Sequence, residues 1–281
     1  MRILSIQSSV AFGYAGNSAA VFPLQRLGHE VVAVHTVHFS HHTGYGATQG
    51  PMHTPAEVAA VLDGVAELGV LPTVDAVLSG YLGDPEMGAV VLSAVEAVKA
   101  ANPDAVYCCD PVMGDVGSGF FVRAGIPDFF RDAVVPHTDV LTPNQFELEF
   151  LVGRSVATLE SVLEAADALR ARGPRVVLVT SVLHPDIPGD SLDTVVVTAE
   201  GAWALTTPIL PIATAGTGDL TAALFLAHLS SGPEVALART VASVYAVLEA
   251  TAASGSYELE LIASQEAIAQ PPAGLTVRRL R

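Results

Sequence analysis

At residues 213–229 the chain reads ATAGTGDLTAALFLAHL: small residues pass straight into an apolar stretch, with one carboxylate, Asp219, at the junction. Aspartate is a common helix N-cap, its side chain accepting from free backbone N–H groups, so capping alone is one reading. Gly216 and Gly218 suggest another. A helix beginning near Gly218 presents unpaired N–H groups and the positive end of its dipole. Glycines let that backbone approach an anion closely, so the turn can cradle phosphate oxygens. A carboxylate there repels phosphate unless it accepts the proton of the group attacking the phosphate. A base and an anion hole in one turn are what phosphoryl transfer to an alcohol requires. Capping needs no flanking glycines. No Gly-x-x-x-x-Gly-Lys-Ser/Thr loop and no His-Arg-Asp loop occurs, so a nucleotide would be held by another route.

Other reactive side chains are scattered. Asp110 stands before Pro111, while Asn144 and Glu147, spaced i, i+3 on a short helix, share a face. Taken alone, Glu147 is a solvated first-turn glutamate favoured by the helix dipole. His35, His38, His41, His42 and His53 resemble a metal cluster on paper. Strand parity sends His35 and His38 to opposite faces, and no acid or thiol is spaced with them as zinc requires. Packing, or at His42 a pocket wall, is the expectation. Cys108 and Cys109 are adjacent and also diverge on a strand, so neither a disulfide nor a metal site is expected.

The elements that must position these residues alternate. RILSIQ, EVVAVHTVHF, DAVLSGYL, AVYCCDPVM and RVVLVTSV read as strands, and helices are expected near Asn17–Leu27, Asn144–Leu151 and Leu159–Arg172. Thr54, Pro55 and Glu57 supply an N-cap, a first-turn proline and a capping-box glutamate for TPAEVAAVLDGVAELG. DTVVVTAEGAWALTTPIL reads as a hairpin turning at Glu200 and Gly201, and from Gly218 onward the chain is mostly helical. Such alternation implies an α/β fold, a mostly parallel sheet covered on both faces, in one domain spanning 1–281. Ligands of such sheets gather beyond the carboxyl ends of the strands, where the polar and glycine residues concentrate.

Of 281 residues 51% are hydrophobic and 15% charged, as a packed core requires. With 13 Lys and Arg against 29 Asp and Glu, no broad basic surface for nucleic acid can be built. A small anionic ligand needs a local site of backbone N–H groups or a metal. No secretory signal and no uncharged apolar window of about 18 residues is found, so a soluble, cytoplasmic protein with no membrane partner is expected.

AGTGDLTAALFLAHL resembles the C-terminal signature of the ribokinase-like superfamily, whose aspartate deprotonates the substrate hydroxyl. IQSSVAFGYAGNSAAVFPLQRLG, VHFSHHTGYG, LSGYLGD, CDPVMGD and LTPNQFELEFL, in that order, resemble the pyridoxal kinases, and the similarity runs from residue 3 to about 265. The resemblance implies a three-layer α/β/α sandwich and ATP-dependent phosphorylation of the 5'-hydroxymethyl group of pyridoxal. It casts Asp219 as base and Gly216, Thr217 and Gly218 as anion hole. It gives Ser8 to the pyridine ring, Thr43 and Gly44 to the same pocket, and Tyr81 to stacking on the ring. Asp110 and Glu147 would organise Mg2+, largely through water, because Mg2+ takes oxygen ligands and keeps several waters. Thr142, Thr180 and residues Ile212, Ala213, Thr214 and Ala215 would contact ATP. Some bacterial relatives have lysine where Thr180 stands, and a hydroxyl bond of roughly 1 kcal/mol then replaces a charge-assisted one. A monovalent cation such as K+ and a homodimer are further implications. A hydroxymethylpyrimidine kinase and a vitamer-binding protein without catalysis remain as alternatives; the second predicts damage to Gly-x-Gly-Asp, which is intact.

Overall fold

The computed structural model describes residues 1–281. Nine strands form its main sheet: β1 (Arg2–Val10), β2 (Glu30–Phe39), β3 (Ala76–Ser79), β4 (Val106–Cys109), β7 (Val140–Leu141), β8 (Val176–Val182), β9 (Ser191–Val197), β10 (Ala202–Pro208) and β11 (Arg278–Arg279). Their order is β11-β10-β9-β8-β7-β4-β3-β1-β2, while β5 (Gly114–Asp115) and β6 (Gly119–Phe120) make a separate small hairpin. Pairing is parallel from β2 through β8 and antiparallel from β8 through β11.

Side-chain alternation divides the core between the two faces of the sheet. Leu4, Ile6, Cys109, Val177 and Val195 meet α2 (Pro55–Glu67), α3 (Met87–Ala101), α4 (Ile126–Phe129), α5 (Gln145–Val152) and α6 (Leu159–Arg170). Ile3, Leu78, Cys108, Leu178 and Val196 meet α1 (Asn17–Arg26), α7 (Thr217–His228) and α8 (Pro233–Ser254). Leu220 and Leu224 of α7 also pack with Val244 and Val247 of α8 and with Ile268 of α9 (Gln265–Ala269). Three layers result, and Cys108 and Cys109 do lie on opposite faces. From Leu220 to His228 every residue of α7 is buried, as suits a mostly apolar helix between a sheet and other helices.

Several expectations are corrected. The third strand stops at Ser79, so Gly80, Tyr81 and Leu82 belong to the loop beyond the strand's carboxyl end. β11 near the C-terminus was unforeseen. Helix α8, with 22 residues, is long and apolar enough to cross a membrane although it carries Glu234, Arg239 and Glu249, and half of its apolar window is buried inside the fold. His35 and His38 do not face opposite ways, since their rings lie 6.4 Å apart. Gln7 pairs with His35 and Ser9 with His38, so β2 carries an extra residue, and this bulge resets the alternation.

Candidate active site

Helix α7 starts one residue earlier than expected. Gly216, at φ 83°, is its N-cap, and Asp219 is its third residue rather than its cap. A side chain at Gly216 would be strained by that φ and would overlap the Tyr14 carbonyl. Thr217, Gly218 and Asp219 occupy the first turn, where N–H groups have no partner within the helix. The Asp219 carboxylate makes no hydrogen bond to those donors. Its Oδ2 accepts the Gly16 N–H at 2.8 Å. Gly16 adopts φ 56° and ψ −130°, and a Cβ there would overlap the Ser8 carbonyl and hydroxyl oxygens. Glycines on both sides therefore let the loop after β1 lie against the α7 turn, with Ser8 directly behind it.

Burial raises the Asp219 carboxyl to about 6, and the Gly16 N–H pulls in the opposite direction. Gly80 adjoins the same carboxylate: a Cβ on it would stand 2.7 Å from Gln7 Oε1 and 3.5 Å from Asp219 Oδ1. Gln7 donates through Nε2 to Ser5 Oγ (2.9 Å), which donates to Asn17 Oδ1 (2.7 Å), so a buried polar chain supports this wall. Tyr81 follows Gly80, half-buried, with its phenol pKa raised by desolvation and its carbonyl accepting from Thr36 Oγ1 at 2.9 Å.

Across the turn stands Asp110, buried at the carboxyl end of β4. Thr142 Oγ1 donates to Asp110 Oδ1 at 3.3 Å, and a Cβ on Gly218 would lie 3.4 Å from Asp110 Oδ2. Burial, then Glu147 and Asp219, raise the Asp110 carboxyl well above the usual range. Glu147 is buried, not solvated. It is the N3 half of a capping box with Asn144. Glu147 Oε1 accepts the Met113 N–H and Oε2 the Asn144 N–H, both at 2.9 Å, while Asn144 Nδ2 donates to the Gly114 carbonyl at 2.8 Å. The Asn-x-x-Glu pair thus joins α5 to the β5–β6 hairpin. Thr180, partly exposed in β8, donates its N–H to the Pro143 carbonyl at 3.0 Å. Residues 212–215 form the loop from β10 to α7, with Ala213 exposed.

Three carboxylates, Asp110, Glu147 and Asp219, share this end of the sheet without a lysine or arginine in their hydrogen bonds. The three do not close into a metal-binding cluster by themselves, and their oxygens are the kind that a hard divalent cation takes when it keeps several waters. Glu147 has both oxygens committed to backbone N–H groups, whereas Asp110 directs one oxygen toward Gly218. Asp110 therefore has a carboxylate oxygen that would be open to a cation, whereas both Glu147 oxygens are already engaged.

Thr43 and Gly44 lie in an exposed turn, Thr43–Tyr45, with no hydrogen bond to Asp219. They are tied to it indirectly. The Gly44 N–H donates to His42 Nδ1 at 3.2 Å, and His42 Nε2 lies 3.0 Å from Glu258 Oε1. Glu258 Oε2 accepts the Tyr14 N–H at 2.8 Å, two residues from the Gly16 donor. Sequence reading missed Glu258, Gln7 and Gly16. The Gly-Asn pair at 16–17 carried a local signal, whereas Glu258 lies 216 residues from His42 and carried none.

Residues 25–259 match a family model described as phosphomethylpyrimidine kinase. Pyridoxal kinase PdxY of Rubrobacter xylanophilus is 55% identical over 283 residues, covering 100% of this chain and 98% of the relative. Pyridoxal kinase PdxY of Leifsonia xyli subsp. xyli is 54% identical over 282 residues, covering 100% of both chains. The chain belongs to the pyridoxal kinase family. A pyridoxal kinase from Leishmania donovani, solved in complex with ADP and pyridoxamine, superposes with a TM-score of 0.93 at 30% identity, over 100% of this chain and 99% of that one. A putative phosphomethylpyrimidine kinase from Bacteroides thetaiotaomicron, 23% identical with a TM-score of 0.89, shares the fold. The fold of this pyridoxal kinase family member is thus the ribokinase-like α/β sandwich that the motifs implied.

Proposed function

We propose that this enzyme transfers the γ-phosphoryl group of ATP to the 5'-hydroxymethyl oxygen of pyridoxal, with residues 1–281 acting as one kinase domain. One observation carries the reading: Asp219, with its carboxyl raised to about 6, stands in the first turn of a helix whose free N–H groups suit an anion. Near neutral pH such a group is ionised yet still basic enough to accept the proton of an alcohol. As the alcohol oxygen bonds to phosphorus, its proton passes to Asp219 and the bond to the ADP oxygen breaks. The N–H groups of Gly216, Thr217 and Gly218 stabilise the charge gathering on the transferred group. Positioning and electrostatics supply most of the acceleration.

Ser8, Thr43, Gly44 and Tyr81 hold the pyridine side; Thr142, Thr180 and Ile212 to Ala215 hold the nucleotide. Asp110 and Glu147 would hold Mg2+, which when bound would neutralise phosphate charge. A monovalent cation near the anion hole, a homodimer and a cytoplasmic setting complete the reading. The substrate follows the relatives, pyridoxal kinases 44–55% identical to this chain. A second reading, hydroxymethylpyrimidine kinase, is favoured by the description of the matched family model.

The test is a coupled assay of ADP release with Mg-ATP and either pyridoxal or hydroxymethylpyrimidine, on wild type and Asp219→Ala. Pyridoxal-dependent turnover, falling about 10²–10⁴-fold or more in the variant, is expected. Turnover with the pyrimidine alone transfers the assignment to the second reading. Tight pyridoxal binding without turnover would make the chain a binding protein.

A further inference from the structure

Glu258 sits on the segment after α8, far in sequence from every residue assigned above, and is buried. Its carboxylate joins two loops. One oxygen lies 3.0 Å from His42 Nε2 and the other accepts the Tyr14 N–H at 2.8 Å. His42 Nδ1 accepts from the Gly44 N–H, so the imidazole proton lies on Nε2 and is donated to Glu258. The neighbouring Tyr257 grips the same turn: its hydroxyl donates to the Gly44 carbonyl at 3.4 Å, and its ring meets those of Tyr45 at 4.8 Å and His42 at 5.4 Å. Gly13, at φ 88°, leaves room for this arrangement, since a Cβ there would collide with the Glu258 carboxylate.

The two loops follow β1 and β2, which lie together at one end of the sheet order, whereas Asp110 and Thr142 follow β4 and β7 and Thr180 lies in β8. The grip therefore falls on the acceptor side of Asp219 and leaves the nucleotide side untouched. We propose that Glu258 is a positioning residue for the acceptor alcohol: through His42 and the Tyr14 N–H it holds the Thr43–Gly44 turn and the Tyr14–Gly16 loop as one preformed wall. This inference rests on the proposed assignment of sides. Because ligand binds only the assembled wall, apparent affinity falls in proportion to the fraction of molecules that keep it assembled. A bound substrate restores the wall, so saturated turnover is largely retained.

The experiment compares wild type, Glu258→Gln, Glu258→Ala, His42→Ala and the His42→Ala/Glu258→Ala double variant, measuring KM for pyridoxal, KM for ATP and kcat. Glu258→Ala is expected to raise KM for pyridoxal at least tenfold, with KM for ATP and kcat within about twofold of wild type. Glu258→Gln retains an acceptor for only one of the two donors and falls between. The double variant should show less than the product of the two single effects. An unchanged KM for pyridoxal, equal rises in both KM values, or independent effects of the two changes would overturn the proposal. If Glu258→Ala does not fold, Glu258→Gln and His42→Ala carry the same comparison. Wild type that uses only hydroxymethylpyrimidine overturns the substrate assignment instead, and the KM split is then read with that alcohol.

Discussion

Asp219 is held between two opposing effects: burial disfavours its charge, and the Gly16 N–H favours it. The net result raises the carboxyl from 3.8 to about 6. Since the base must be ionised to accept a proton, kcat/KM for the alcohol should climb with pH, pass half-maximum near the value of about 6, and level off above neutrality. A flat profile between pH 5 and about 8 would remove Asp219 from the proton transfer. The same shift acts on stability with the opposite sense. Between 3.8 and about 6 the folded state binds the extra proton, so stability falls as pH rises through that window. Asp219→Asn should therefore be inactive yet more stable than wild type at pH 8, by about 1–3 kcal/mol, with the difference vanishing near pH 4. Denaturant titrations at the two pH values check this. The type and neighbours of Asp219 could be read in the chain, but its place in the helix could not, because Gly216 takes the cap by adopting a left-handed φ of 83°.

Short motifs were legible where they are local. Thr54 and Glu57 close the capping box that their spacing predicts. Asn144 and Glu147 close another, which the sequence presented only as two residues sharing a face. Here the element serves two ends, since the box that starts α5 also holds the β5–β6 hairpin through Met113 and Gly114. Asn144→Ala should cost about 0.5–2 kcal/mol by loss of the cap. It should also raise KM for Mg-ATP while leaving KM for pyridoxal near wild type, a split that steady-state kinetics reads directly. Equal changes in both would confine Asn144 to capping. Non-local geometry stayed hidden. The facing of His35 and His38 turns on a bulge in the pairing of β1 with β2, and strand parity within one segment contains no trace of it.

Across the whole molecule, 29 acidic residues outnumber 13 basic ones, yet the proposed substrate is an anionic nucleotide. Long-range repulsion should oppose its approach while the local N–H groups hold it once seated. Raising the ionic strength from 0.01 to 0.15 M shortens the screening length from about 30 to 8 Å, so KM for Mg-ATP should fall while KM for uncharged pyridoxine stays level. A rise in KM for Mg-ATP over that range would mean that local attraction governs encounter. Finally, the turn that carries the base continues into α7, buried from Leu220 to His228 between the sheet, α1 and α8. Such a segment has no private route of fraying, because its amides reach water only when the surrounding layers separate. The proposed base thus stands at the exposed mouth of a segment that opens only with the surrounding layers, and heat should abolish turnover and the fold together.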